Sequence, residues 1–197
     1  MYKHGLKRLI DFCIALAVLL CISWLLVIIA IWLYFANKKA GVFFLQERPG
    51  KDEKIFKVIK FKTMTDERDA QGNLLPDAKR LTKVGRFVRL TSIDELPQFI
   101  NVLMGDMSVV GPRPHMLKHT EEYAQVINKF MVRHFVKPGI TGWAQVTGYR
   151  GETKELWQME GRVSRDIWYI EHWTFMLDLY IIYKTVYNAI HGEKEAY

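Results

Sequence analysis

The chain has 197 residues, which suits one compact domain plus a membrane element and is too short for two ordinary domains. Lysine and arginine outnumber aspartate and glutamate 28 to 21, a net charge of +7. That balance favours anionic partners: nucleic acid, acidic lipid headgroups or phosphorylated small molecules. Half of the residues are hydrophobic, much of that concentrated at the N-terminus. Nucleic acid leaves this apolar concentration unexplained, so lipid and phosphorylated partners are favoured. Both cysteines, Cys13 and Cys21, lie within the apolar stretch, which excludes a disulfide framework and fits a reducing compartment.

Phe12 to Phe35 carries no charged residue, and Ser23 is its most polar member. At about 1.5 Å per residue, a helix of that length reaches roughly the 30 Å of a hydrocarbon core. A signal peptide would have a shorter apolar region and a small-residue cleavage site. Here the exit is Ala36-Asn37-Lys38-Lys39, so cleavage is not expected. Lys3, Lys7 and Arg8 precede the segment, and Lys38 and Lys39 follow it. Basic flanks favour the cytoplasmic side. A plain span puts one cluster on the wrong side, whereas a helix that returns to the same face satisfies both. An ordinary spanning anchor is the commoner use of such a segment, and both topologies stay open on these residues. Trp24, near the middle, supports neither.

Gly41 to Thr65 reads as a β-hairpin, with β-branched and aromatic strands and a turn at Pro49-Gly50. Lys57, Lys60 and Lys62 fit mostly a solvated strand face. Asp66 to Thr82 reads as an exposed loop with some helix. Ser92 to Leu103 reads as a helix, with Ser92 as N-cap and Glu95 completing a capping box; Pro97 lies near the limit of what a first turn tolerates. Tyr123, Val126, Ile127, Phe130 and Met131 follow one helix face, which Pro138-Gly139 ends. Glycines at 139, 142, 148 and 151 suit either a loop whose backbone approaches a ligand or a turn around a short strand, Trp143 to Val146. Taken alone, the turn is favoured. Asp166 to Ile190 reads as helical and aromatic-rich. Asp178 and Lys184 argue against a second span; interfacial and core-packed placements both fit.

The chemistry centres on Asp94 and Glu95, which lie between Arg89 and Arg113. A carboxylate attacking phosphorus meets like charge. A divalent cation and phosphate-binding arginines remove that obstacle. Asp94 suits a nucleophile, Glu95 a hard ligand for Mg²⁺, and the arginines forks for phosphate oxygens. For an isolated Asp-Glu pair, plain helix capping remains the commoner use. No HExxH, CxxC pair or GxxxxGK[ST] loop occurs. His115, His119, His134 and His172 lack metal-site spacing, so zinc and P-loop chemistry have no support.

The ordered blocks KRLIDF, FFLQERPG, FKVIKFKTM, DELPQFINVLMGDMSVVGPRP and KPGITGWAQV resemble the bacterial sugar transferases, the monotopic phosphoglycosyl transferases that start glycan assembly on a polyprenol carrier. The likeness runs nearly end to end. It implies an α/β fold of the α+β kind, mainly helical: a re-entrant membrane helix over residues 1–40, then a cytoplasmic-face catalytic domain over 41–197 with a small hairpin and interfacial amphipathic helices. It implies transfer of a sugar 1-phosphate from a UDP-sugar to undecaprenyl phosphate with release of UMP, at the bacterial inner membrane, in exopolysaccharide, capsule, O-antigen or glycoprotein glycan assembly. By the resemblance Asp94 is the nucleophile, Glu95 binds Mg²⁺, Arg89 and Arg113 bind phosphate, and Arg133, Gln145 and Asp166 line the site. Membrane lipids are expected partners and nucleic acid is not; a homodimer is compatible with it. One departure is visible. The family's Ser-Pro at the helix break is Ser23-Trp24 here, which removes a main cause of kinking, although Ser23 can still bond a carbonyl one turn back. A non-covalent nucleotide-sugar transferase and a silent membrane scaffold are the rival readings.

Overall fold

The apolar segment contains neither glycine nor proline, so nothing interrupts its backbone ladder, and α1 runs from Lys7 to Ala36. The computed structural model describes residues 5–37, 40–151, 153 and 155–192. Its architecture is mostly helical, with two two-stranded sheets and this one long apolar helix. Near its start, Ala15 enters a core with Val102, Met107, Val110, Tyr169 and Ile181. Near its end, Ile29 and Leu33 pack on Phe61 and Val88. Between those anchors Leu16, Leu20, Trp24, Val27 and Ile28 are exposed. Ser23 Oγ donates to the Leu20 carbonyl at 3.0 Å.

The expected hairpin is present. β1 (Phe43–Pro49) pairs antiparallel with β2 (Ile55–Phe61), Phe43 opposite Phe61 and Pro49 opposite Ile55. Its turn is longer than Pro49-Gly50. Pro49 stays in the strand, and the reversal is made by a 3₁₀ turn, Lys51–Glu53, with Asp52 and Glu53 in the left-handed region. The next loop is exposed, as read, with bridges Arg68 to Leu74 and Met64 to Leu81 and a short helix α2, Asp77–Arg80. In α3 (Lys83–Leu90), the Thr82 side chain caps the helix by accepting from the Gly85 N–H. A Cβ on Gly85 would lie 1.9 Å from the Thr63 carbonyl oxygen, so only glycine lets α3 press on the exit of β2.

The single helix expected over Ser92 to Leu103 is two pieces: a 3₁₀ turn, Ile93–Glu95, and α4, Gln98–Met104. Ser92 is left-handed at φ 56° and caps nothing; its Oγ accepts from Arg150 at 2.8 Å. The capping box does not form, because Glu95 spends its carboxylate on Arg113 and Lys60. Pro97, which lacks an N–H, marks where α4 starts. β3 (Ser108–Val110) pairs in parallel with β4 (Gly139–Thr141).

The apolar face read over Tyr123 to Met131 is also divided. α5 (Leu117–Val126) stops, Lys129 turns left-handed, and a 3₁₀ segment, Phe130–Phe135, follows. Burial overrides the helical period here. Ile127 and Phe130 both reach Met159 and Val163, while Val126 points outward. The residues read as a strand, Trp143–Val146, form a helical turn, α6; the strand is β4 just before it. The glycines serve backbone contact: a Cβ on Gly139 or Gly142 would lie 2.1–2.2 Å from Gly111 backbone atoms. Finally, the helix read from Asp166 to Ile190 is two helices, α7 (Leu156–Glu171) and α8 (Phe175–His191), because the Thr174 side chain starts a new one by accepting from the Leu177 N–H. α8 buries Asp178 and Ile181 and exposes Met176, Tyr183 and Ile190.

Candidate active site

Four elements meet at the acidic pair. The 3₁₀ turn carries Asp94 and Glu95, β2 brings Lys60, α3 brings Arg89, and the Pro112-Arg113-Pro114 turn after β3 brings Arg113. Arg113 forks onto Glu95: Nη1 donates to Oε2 at 2.9 Å, and Nη2 donates to Oε1. Lys60 Nζ donates to Oε1 at 2.8 Å. Burial alone would raise the Glu95 carboxyl, but Arg113 and then Lys60 overcome it and hold it well below the usual carboxylate range.

Asp94 is in the opposite state. Among the described residues, none hydrogen-bonds its carboxylate. Burial, and then the Glu95 charge, push its pKa up to about 6, against the pull of Lys60, Arg89 and Arg113. It borders a cavity of about 610 Å³ whose near wall is Gln46, Lys60, Thr63 and Arg89. Arg89 Nε donates to Thr63 Oγ1 at 2.8 Å. The cavity therefore offers the under-neutralised Asp94 carboxylate beside Lys60 and Arg89, with Lys62 and Arg80 also in its lining, an arrangement fitted to an anion that brings its own counter-charge.

The sequence-derived candidates separate into layers. Asp94, Glu95, Arg89 and Arg113 come together. Arg133 and Asp166 lie behind them as a buried ion pair, Nε to Oδ2 at 2.7 Å, and Arg133 Nη2 donates to the Arg113 carbonyl at 2.9 Å. That pair braces the Arg113 turn. Gln145 is buried near Gly142; its Nε2 donates to the Ile140 carbonyl at 3.2 Å, its Oε1 has no partner, and no described hydrogen bond joins it to Asp94. Lys60 was missed, being read with its neighbours as a solvated face. Its signal was the strand period: Lys60 lies two residues from Val58, which is 2% exposed, so both share the inward face.

The donor set bears on magnesium. Among the described residues no group of three His, Cys, Asp or Glu gathers. Two adjacent carboxylates are enough where substrate phosphate oxygens complete the shell, the usual habit of Mg²⁺. The Asp94 carboxyl, raised partly by the Glu95 charge, is the imbalance that a cation would relieve. Both Glu95 oxygens are taken by Arg113 and Lys60, so a magnesium ion shared with a bound phosphate fits this pair through the bare Asp94 oxygens, and through Glu95 only once Lys60 gives way.

The bacterial sugar transferase family model matches residues 2–192. The chain belongs to that family. Among its relatives is the UDP-glucose:undecaprenyl-phosphate glucose-1-phosphate transferase of Klebsiella pneumoniae, 48% identical over 185 residues, covering 93% of this chain and 40% of that protein. The uncharacterized sugar transferase EpsL of Bacillus subtilis is 48% identical over 190 residues, covering 95% of this chain and 89% of EpsL. A UDP-N-acetylgalactosamine-undecaprenyl-phosphate N-acetylgalactosaminephosphotransferase of Aeromonas hydrophila is 39% identical over 154 residues, covering 77% of this chain and 36% of that protein. The chain thus spans well under half the length of the first and third of these relatives, and most of the length of the second.

Proposed function

We propose that this sugar transferase moves a sugar 1-phosphate from a UDP-sugar to undecaprenyl phosphate, with Asp94 as nucleophile. An Asp94 carboxylate oxygen forms a bond to the sugar-bearing phosphorus, and the bond from that phosphorus to the bridging oxygen breaks, so UMP leaves. An oxygen of undecaprenyl phosphate then forms a bond to the same phosphorus and frees Asp94, giving undecaprenyl-diphospho-sugar. The observation that carries this reading is the Asp94 carboxylate, bare of hydrogen-bond donors and facing an open cavity beside Lys60 and Arg89. Arg89 and Arg113 would take charge on the transferred group. Glu95, once Lys60 turns from it to the substrate phosphate, would hold Mg²⁺ together with that phosphate. The ion would supply neutralisation of the diphosphate charge. Relatives whose names specify UDP-glucose support a hexose donor, with glucose the first to try.

The reading extends to the membrane. α1 would be embedded from the cytoplasmic face, and its return to that face would require a bend, for which Ser23, bonded to the Leu20 carbonyl, is the available site. Both of its ends dock on one body, through Ala15 and through Ile29 and Leu33, while the apolar middle faces outward. A straight helix of thirty residues is about 45 Å long, and a span with its ends on opposite faces would separate those two docking points.

The test is UMP release by the purified protein with Mg²⁺, undecaprenyl phosphate and a panel of UDP-sugars. Release that needs both lipid and one donor supports transfer. Label from the donor's sugar-bearing phosphate, retained on Asp94 when lipid is omitted, supports the covalent step. Turnover without such label removes the nucleophile assignment, and no release with any donor removes the activity.

A further inference from the structure

Behind Arg113 the protein gathers more positive charge than it balances. Arg48, half-buried, donates Nη1 to the Pro114 carbonyl at 3.1 Å and Nη2 to Gln46 Oε1 at 2.5 Å. Arg133 holds the Arg113 carbonyl. Arg162 on α7 donates Nη2 to the Gly151 carbonyl at 2.6 Å. His115 follows directly on Pro114. His115 and Arg162 are only 8% and 7% exposed. Arg48 Nε, Arg162 Nε and His115 Nε2 are all buried without a partner.

Water can satisfy an orphaned N–H, but it does not neutralise a buried charge. Four guanidiniums, Arg48, Arg113, Arg133 and Arg162, together with Lys60, face three carboxylates, Glu95, Asp166 and Asp94, an excess of two positive charges. Burial, then the Arg113 charge, push Arg48 down to about 10. Burial, then the Arg133 charge, push Arg162 down to about 10. Burial and then all four arginines keep His115 neutral, with its pKa well below the usual histidine range. Each group remains in its ordinary state at pH 7, so the excess charge persists. Gln46, which Arg48 grips, lines the Asp94 cavity. The cluster thus abuts the cavity wall.

We propose that Arg48, His115 and Arg162 form, with Arg113 and Arg133, a subsite for a phosphate monoester dianion, entered from the Asp94 cavity by displacement of Gln46 from its bond to Arg48. The inference rests on the transfer reading for its ligand class. Two phosphate monoesters belong to that reaction, the UMP that leaves and the polyprenyl phosphate that accepts. The Arg48 and Arg162 Nε–H groups, and His115 in the tautomer with its proton on Nε2, would donate to phosphate oxygens, and the dianion would offset the two unbalanced charges. The guanidinium fork and the neutral imidazole suit that ligand, because both donate in charge-assisted geometry.

The experiment uses the full chain in detergent, with binding of UMP and of farnesyl phosphate, a short prenyl phosphate, measured separately by calorimetry. The variants are Arg162→Gln, Arg48→Gln and Asp94→Asn. The expected result is that both arginine variants weaken one or both probes by about tenfold or more, while Asp94→Asn keeps or tightens them. Weakening of UMP alone assigns the subsite to the leaving nucleotide. Weakening of farnesyl phosphate alone assigns it to the acceptor, and weakening of both assigns it to the two in turn. Binding of both probes within twofold of wild type in both arginine variants overturns the proposal, as does a wild type that binds neither. Melting of the unliganded variants separates a structural role: loss of a buried unbalanced charge should leave the melting temperature unchanged or higher. A lowered one in both arginine variants would mark them as structural and overturn the subsite. Failure of the transfer reading shows elsewhere, as absence of UMP release from protein that still binds the probes.

Discussion

The protein holds two charge clusters, and they are finished to different degrees. At the start of α1, Lys7 Nζ donates to Asp178 Oδ2 at 2.7 Å and lies 3.6 Å from Asp11 Oδ1. Asp11 accepts from Ser108 Oγ at 2.8 Å and from the Val109 N–H at 3.1 Å. Asp178 accepts from Tyr169 Oη at 2.6 Å and from Trp173 Nε1 at 3.2 Å. Every carboxylate oxygen there has a donor. At the other cluster Glu95 is saturated and its neighbour Asp94 is left bare. A closed network ties elements together, here α1 to β3 and α8. An incomplete one, opening on a cavity, is poised for a ligand that completes it.

Substitutions should respond in opposite senses at the two places. Asp94→Asn should lower UMP release by about a thousandfold or more, because the proposed covalent step loses its nucleophile. The same change should stabilise the fold at pH 7, on the order of 1–3 kcal/mol, since it removes a carboxylate that the folded state disfavours in its ionised form. A denaturation midpoint below wild type would break the contrast, and residual turnover near wild type would remove Asp94 from the chemistry. Asp178→Asn should destabilise by roughly 3 kcal/mol, because Lys7 would be left with one distant carboxylate. Thermal melting of the two variants side by side reads both signs.

The pH profile sharpens the same point. Asp94 ionises late, through about pH 6, and the first transfer step needs the ionised form. UMP release at low donor concentration should rise with pH through about 6 and then level off. For stability the sign is reversed. A raised carboxylate favours the folded state below its unfolded value near 3.9, and that contribution is lost as pH climbs through about 6. Wild type should therefore lose ground to Asp94→Asn across that interval. Glu95 runs the other way: its depressed pKa adds stability above the unfolded value, lost only as pH falls towards a folded value well below the usual range. An acid limb near pH 4 that stays there when Mg²⁺ is lowered would place the titrating group elsewhere.

What the sequence disclosed follows from how local each signal is. The hairpin was legible from its alternation, and the apolar helix from its length. Asp94, Glu95 and Arg113 were legible because an adjacent acidic pair and a proline-flanked arginine are local features. The breaks were not. Ser92 and Glu95 carry a capping pattern, but an arginine eighteen residues on claims the glutamate. The period from Tyr123 to Met131 is real, yet Met159 and Val163 draw Ile127 and Phe130 out of one helix. The Gly139 and Gly142 requirement belongs to Gly111, thirty residues away, and no local pattern announces it.

Lys60 tests the smallest difference between the two clusters. It donates to Glu95, and its charge also pulls the Asp94 pKa down. Lys60→Gln keeps a donor beside Glu95 and removes the charge. Glu95 would remain paired with Arg113, so the fold should change little. Asp94 would lose one of three opposing cations, and its pKa should move further up. The expected result is a roughly threefold slower UMP release at pH 6.5, the size of about one unit of further rise, much of it recovered at pH 8, where Asp94 ionises regardless. A loss that is equal at both pH values would mean that Lys60 acts on the substrate phosphate directly rather than through the ionisation of Asp94.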